Sequence, residues 1–263
     1  MKNTILCLFF FLLLGQTNFV YGQSYTTQQE RLPCVNKKFT IVAHIFKDSL
    51  GNYGVTEMAI TTALTEVNKF FAPIRVSFEV CEFRYHENFQ HDNEDQGTEL
   101  AEMYVKYHAD FRINMYFINS LDGPACGLAA LGGVGSAFTG GVFIEKPMCT
   151  NAPVIAHELG HFFGLLHTFE GGGTELVDGS NCTTAGDFLC DTPADPYVPF
   201  NPIEGYVSTG CRFINQQTDA NGEYYNPDVG NIMSYYHCGD CGFTWGQLNK
   251  MAQTYLSAAI KLW

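Results

Sequence analysis

Residues Ala156–Glu170 read AHELGHFFGLLHTFE, and within them His157, Glu158, His161 and His167 have the types and spacing of metal chemistry. Residues four apart share one face of a helix, with about 5–6 Å between their Cβ atoms. His157 and His161 can therefore hold one metal ion together. Glu158, beside the first of them, points next to such an ion rather than at it, where a carboxylate can polarise a water molecule. His167 cannot join them from a continuous helix. Ten residues beyond His157, it would face about 80° away and lie roughly 15 Å further along the axis. The chain must break after His161 and turn back, and Gly164 stands where the break is needed, since glycine accepts a positive φ without steric cost. The pattern H-E-x-x-H-x-x-G-x-x-H thus supplies three imidazoles, an open fourth position and a base, the donor set of a catalytic zinc site rather than a closed structural one. The expected chemistry is hydrolysis. Zinc acidifies water and polarises the carbonyl under attack, while Glu158 takes the water's proton and later delivers it to the leaving amine.

Hydrophobic periodicity outlines the elements that must position these groups. FTIVAHIFKD (Phe39–Asp48) alternates Phe39, Ile41, Ala43 and Ile45 against the other face and predicts a strand. Thr56–Phe71 places Ile60, Leu64, Val67 and Phe71 on one helical face, and Pro73 prevents continuation. IRVSFEV (Ile74–Val80) predicts another strand, Gly97–His108 a second helix and FRINMYFIN (Phe111–Asn119) a third strand. Strand, long helix, strand is a βαβ opening that favours parallel pairing. The Gly-rich passage CGLAALGGVGSAFTGGVFIEK reads as irregular or edge strand, its glycines leaving room for another backbone. Asn151–Leu166 is the helix bearing the histidines, capped by Thr150 or Asn151. From Thr168 to about Asn231 the chain is loop-rich. A final helix opens at TWGQ, where Thr244 and Gln247 fit a capping box, and runs to about Ile260.

The chain begins with Lys2 and an apolar run, Ile5 to Leu14, of signal-peptide length and too short to span a bilayer. Small Gly22 places cleavage before Gln23, so the mature chain is expected to be secreted, with no membrane anchor. Nine of the ten cysteines then remain, and in an oxidising compartment they predict disulfides with at least one thiol left over. CGDC at Cys238–Cys241 has no second close Cys/His pair that would make it a zinc knuckle. Fourteen Lys and Arg oppose 27 Asp and Glu for a net charge of −13, which argues against nucleic acid or an anionic membrane as partner. Residues 1–22 are expected to be the signal peptide and 23–33 a short N-terminal segment. Residues 34–263 are expected to form one catalytic domain, with an N-lobe of about 34–167 and a C-lobe of about 168–263.

The zinc motif is that of the metzincin metallopeptidases, and its continuation LLHTFEGG resembles the pappalysin family (cytophagalysins, ulilysin-like peptidases). NIMSYY (Asn231–Tyr236) resembles the family's methionine turn, CDTPAD its Asp-Thr-Pro segment and FTWGQLNKM its closing helix. The resemblance implies a metzincin-like α+β fold. Its N-terminal mixed, twisted sheet with two or three helices is followed by a loop-rich, disulfide-stapled C-terminal lobe ending in a helix, with the cleft between the lobes. It implies a zinc metalloendopeptidase acting on protein or peptide substrates, and the chain is expected to be a monomer. Met233 would form the hydrophobic floor beneath the zinc and Tyr235 would lie near the zinc, able to hydrogen-bond the oxyanion. Asp187, Asp191 and Thr192 fall in a segment that holds calcium in ulilysin-like relatives. Such relatives favour Arg or Lys after the cut, which would call for an acid among Asp219, Glu223 and Asp228, with the passage from Gly127 to Ile144 as the edge that pairs with substrate. Cys34 and Cys81, each flanking a predicted strand, are expected to bridge. A catalytically silent binding protein on the same fold and a zinc amidohydrolase acting on a non-peptide bond are the rival readings.

Overall fold

Among the described residues, five strands and four α-helices carry the periodicities just described. The computed structural model describes residues 31–93, 98–121, 123–135, 141–199, 201–238, 241–259 and 261. The apolar run at 5–14 and the cleavage point before Gln23 lie outside the described residues. Strand β1 (Lys37–Phe46) pairs in parallel with β2 (Val76–His86) on one side and β3 (Ile113–Ile118) on the other. Strand β3 pairs in parallel with β5 (Val142–Glu145), and β4 (Gly127–Ala129) closes the sheet antiparallel to β5, giving the order β2-β1-β3-β5-β4. Parallel neighbours need long crossovers. Helix α1 (Glu57–Phe71) supplies the first, capped by Thr56 accepting from the Ala59 amide, and α2 (Thr98–Tyr107) lies in the second.

Phe39, Ile41, Ala43 and Ile45 all point to the main core with Ile60, Leu64, Val67 and Phe71, as their spacing predicts. Helix α3 (Ala152–Phe162) and helix α4 (Trp245–Ser257) pack into the same core through Ile155, Leu159, Met251 and Tyr255. The opposite face of the sheet is also covered. Phe46, Tyr116, Ile118 and Phe143 pack with Met103 of α2 in a second cluster, so the C-terminal half of β1 is buried on both sides. His44 sits fully buried there, 3.0 Å from His86 and 3.0 Å from the Asn114 side-chain oxygen.

Between α3 and α4 the described chain is turns and isolated bridges stapled by disulfides. Two of these disulfides, Cys182–Cys190 and Cys211–Cys238, lie in that stretch and a third, Cys126–Cys149, precedes α3, while Cys34, Cys81 and Cys241 are free and exposed. The expected Cys34–Cys81 bridge is therefore incorrect, and strand register explains why. Lys37 pairs with Val76 in parallel. Cys34 precedes that pair by three residues and Cys81 follows it by five, an offset of roughly 26 Å along the strands. A disulfide needs Cα atoms within about 7 Å.

Candidate active site

Helix α3 starts where Asn151 accepts from the Val154 amide at 3.1 Å and ends four residues earlier than periodicity suggests. The end is a left-handed turn at Gly164, φ +93°. The Gly164 amide bonds the His161 carbonyl at 2.8 Å and the Leu165 amide bonds the Gly160 carbonyl at 3.0 Å, the paired closure of a Schellman motif. A Cβ on Gly164 would also lie 2.9 Å from Thr254 Oγ1 of α4. This turn sends the chain back so that His167 reaches the two helical histidines.

The Nε2 atom of His161 lies 3.1 Å from that of His157 and 3.0 Å from that of His167. His157 Nδ1 donates to the Ile232 carbonyl at 2.7 Å, and His161 Nδ1 donates to the Leu165 carbonyl at 2.7 Å. Those carbonyls fix the proton on Nδ1 and leave each Nε2 as a bare lone pair. Burial, the largest cause in each, lowers the pKa of all three imidazoles, that of His167 to about 3. Converging neutral lone pairs repel one another unless a cation lies between them. A tetrahedral ion with Zn–N bonds of 2.0–2.1 Å separates its nitrogens by about 3.3 Å, within a few tenths of an ångström of the distances here. The residues fit zinc, and among the described residues they form the one such cluster of metal-ligating side chains.

Glu158 is 5 % exposed and lines the cleft beside His157. Burial pushes its carboxyl up to about 8. It lies directly under the edge strand, for a Cβ on Gly127 would stand 2.6 Å from Glu158 Cγ and 2.7 Å from Oε1. Within the Gly-rich passage, β4 is the edge strand and β5 is internal. The Tyr235 ring is 5.7 Å from that of His157 and 4.8 Å from that of His167, half-buried, its phenol pKa raised first by burial and then by Glu158.

Met233 is fully buried against the helix between the two ligands, where a Cβ on Gly160 would meet its Sδ at 2.5 Å. The turn that holds it is fixed from α4. Asn231 and Gln247 exchange two side-chain hydrogen bonds of 3.0 Å, and Asn231 Oδ1 also accepts from the Met233 amide at 2.9 Å. Gln247 completes the expected capping box with Thr244. On the other side, buried Asp195 accepts from Thr168 Oγ1 at 2.7 Å and from the Tyr236 hydroxyl at 2.5 Å, joining the segment after His167 to the segment after Met233. Gly127, Gly160, Asn231 and Asp195 escape sequence reasoning because each acts on a distant partner. The signal that could have found Asn231 is its place at the head of NIMSYY.

The acids divide differently from expectation. Asp191 is exposed and binds the start of α4, accepting from Thr244 Oγ1 at 3.1 Å and the Gly246 amide at 2.6 Å. Asp187 instead faces Glu175, which sequence reasoning missed. Both are buried, and Asp187 Oδ2 and Glu175 Oε2 have no hydrogen-bond partner among the described residues. Burial raises each to about 7, helped at Glu175 by the charges of Asp187 and Asp195 and at Asp187 by that of Asp191, and Gly186 gives the glutamate its room, since a Cβ there would overlap Glu175 Oε2. Thr192 is buried beside Asp187. Asp219 spends both oxygens on the amides of Val177, Asn221 and Glu223, and Asp228 accepts from the Gly230 amide. Neither they nor Glu223 lines the cleft, so the expected basic pocket has no acid from this set.

Residues 123–255, half the chain, match the profile of the peptidase M43 family described as Pregnancy-associated plasma protein-A. Residues 57–168 match a reprolysin-like metallopeptidase profile, family M12B. An extracellular metalloprotease of Colletotrichum graminicola is 29% identical over 210 residues, covering 75% of this chain and 66% of its own length. One from Verticillium alfalfae is 27% identical over 193 residues, covering 67% and 60%. The chain thus spans less than two thirds of the length of these curated relatives. Among solved structures, Tannerella forsythia mature mirolysin in complex with a cleaved peptide superposes with a TM-score of 0.58 at 16% identity, over 81% of this chain and 89% of that one. At that identity the likeness is one of fold, a mixed α+β architecture.

Proposed function

We propose that this chain, which belongs to the peptidase M43 (pregnancy-associated plasma protein-A) family of metzincin metallopeptidases, is a secreted zinc-dependent endopeptidase. The observation that carries the proposal is the convergence of three imidazole Nε2 atoms beside a buried glutamate in a cleft. His157, His161 and His167 would hold the ion, and zinc in such a set supplies a Lewis acid that polarises a carbonyl and acidifies water. The exposed edge of β4 accepts an extended peptide as an added strand, which lays its backbone across Glu158. Glu158 takes the proton of the water that adds to the scissile carbonyl. As the carbon–nitrogen bond breaks, the same carboxyl returns that proton to the departing amine. Tyr235, whose ring lines the cleft beside the imidazoles, would donate a hydrogen bond to the oxyanion. Met233 carries no chemistry and supports the helix between the ligands from below. Secretion is supported by the extracellular naming of the relatives and by the apolar run at 5–14. No helix among the described residues is long and apolar enough to cross a membrane.

A calcium ion is part of the proposal, with a revised ligand set. Glu175 and Asp187, two buried carboxylates that each keep one oxygen without a hydrogen-bond partner among the described residues, with Thr192 beside Asp187, offer a hard cation oxygen donors, and Asp191 is left to α4.

Incubation of the protein with a denatured protein mixture tests the function. Cleavage should stop with a chelator and return with zinc. Glu158→Gln should keep bound zinc while losing on the order of 100-fold or more in rate. Undiminished peptidase activity in that variant overturns the assignment.

A further inference from the structure

We infer that Asp195 is a positioning residue of the reaction: its buried carboxylate ties together the aromatic cage that aims Tyr235 at the oxyanion. The inference rests on the peptidase reading, with Tyr235 as the oxyanion donor, and deepens it by naming what sets that donor's orientation.

Tyr235 depends on its neighbours for direction. Among the described residues its side chain is held by ring contacts, with centroids 4.8 Å from Phe169, 5.9 Å from Tyr197, 5.7 Å from His157, 4.8 Å from His167 and 6.5 Å from His237. A phenol held by packing moves with its cage, whereas a catalytic hydrogen bond needs its donor placed within about 0.5 Å. The cage converges on one carboxylate. Asp195 is 3 % exposed. Its Oδ1 accepts from the Tyr236 hydroxyl at 2.5 Å and the Tyr197 amide at 3.0 Å, and its Oδ2 accepts from Thr168 Oγ1 at 2.7 Å. Tyr236 follows Tyr235 in the chain, and Thr168 lies between His167 and Phe169. The rings interlock, with Phe169 5.0 Å from Tyr197 and Tyr197 5.7 Å from Tyr236. Three segments that bear on Tyr235 are thus tied at one point. Burying a carboxylate is costly, and well-packed apolar side chains often hold a fold at least as well. What the carboxylate adds is direction, since hydrogen bonds to a charged acceptor are short and geometrically specific.

The zinc ligands have other anchors. The Thr168 amide donates to the Met233 carbonyl at 3.2 Å, and His157 and His161 donate to the Ile232 and Leu165 carbonyls. The head of the methionine turn is held from α4 by the Asn231–Gln247 pair. Loss of Asp195 should therefore loosen Tyr235 and leave the metal in place, which separates positioning from general support of the site.

The test uses the full zinc-loaded chain at fixed calcium, because Asp195 also bears on Glu175. Values of kcat and KM on one fluorogenic peptide, zinc content and melting curves are compared across variants. Tyr235→Phe should lower kcat by about 100-fold, the order expected for one oxyanion donor. Asp195→Ala should lower kcat by at least about tenfold, with KM within about threefold and zinc still bound, the signature of an interaction made only in the transition state. Asp195→Asn should recover most of that loss, since its oxygen still accepts from Tyr236 and Tyr197 and its amide can donate to the Thr168 hydroxyl. A residue that acts through Tyr235 costs little more once that hydroxyl is gone, so Asp195→Ala combined with Tyr235→Phe should match Tyr235→Phe alone within about threefold. If Asp195→Ala does not fold, Tyr236→Phe, which keeps the ring and removes one donor, takes its place in the same cycle. Multiplying losses in the double variant, loss of zinc from the folded single variant, or wild-type kcat in Asp195→Ala overturns the inference while leaving the peptidase reading intact. Undiminished kcat in Tyr235→Phe overturns the oxyanion role of Tyr235 and the inference with it. Absence of any cleavage by the zinc-loaded wild type overturns the peptidase reading itself.

Discussion

Gly160→Ala sets two physical effects against each other at the centre of the site. In an unobstructed helix, replacing glycine by alanine stabilises by about 1 kcal/mol. Here the new Cβ would stand 2.5 Å from Met233 Sδ and 3.5 Å from Leu165 Cδ1. Contacts between such atoms are optimal at roughly 3.5–4.0 Å, so Met233 must retreat by about 1.0–1.5 Å. A methionine is flexible, but Met233 is fully buried and its amide is held by Asn231. Overpacking of this kind costs about 1–3 kcal/mol. The expected net effect is a loss of up to about 2 kcal/mol, a fall in melting temperature of several degrees for a domain of this size. The turn that holds Met233 also carries the Ile232 carbonyl that orients His157, so zinc affinity should fall by at least about tenfold. Urea unfolding of the zinc-free protein and zinc titration against a competing chelator measure the two effects separately. A variant stabilised by the full helical gain, with zinc affinity unchanged, would refute the view that Met233 is wedged against the ligand helix.

Three further outcomes follow from other parts of the molecule. Micromolar to millimolar calcium should raise the melting temperature of the wild type and not of Glu175→Gln, whereas an unchanged melting curve across that range removes calcium from the proposal. Burial lowers His44 to about 4 from its ordinary 6.5, so its contribution is complete above about pH 6.5 and is lost as pH falls toward 4; between pH 7 and 5 that is about 2 kcal/mol. The zinc-free protein should lose this much more stability over that interval than His44→Gln, and parallel curves would contradict it. Maleimide should label three thiols, Cys34, Cys81 and Cys241, in the folded chain beyond residue 23, and mapping the label to a cysteine of the three disulfides would refute the assigned pairing.

What the sequence determined about this protein is whatever depends on residues close together along the chain. Spacing alone puts His157 and His161 on one helix face and requires a break before His167, and the positive φ of Gly164 is the local consequence of that requirement. The α1 face, the inward side of β1 and the Thr244 capping box are equally local, because period and cap chemistry act within one or two turns. The tertiary structure decided what lies across the fold. Parallel register keeps Cys34 from Cys81, and Glu175 meets Asp187 rather than Asp191 across a gap of loop. The Asn231–Gln247 pair and the close approaches at Gly127 and Gly160 depend on two elements docking, which neither element encodes alone. The cleft belongs to the same class. Its walls come from α3, the segment around Tyr197 and Ile203 and the methionine turn. Side chains distant in sequence share a surface only after the entropy of closing long loops has been offset by burial of the common core.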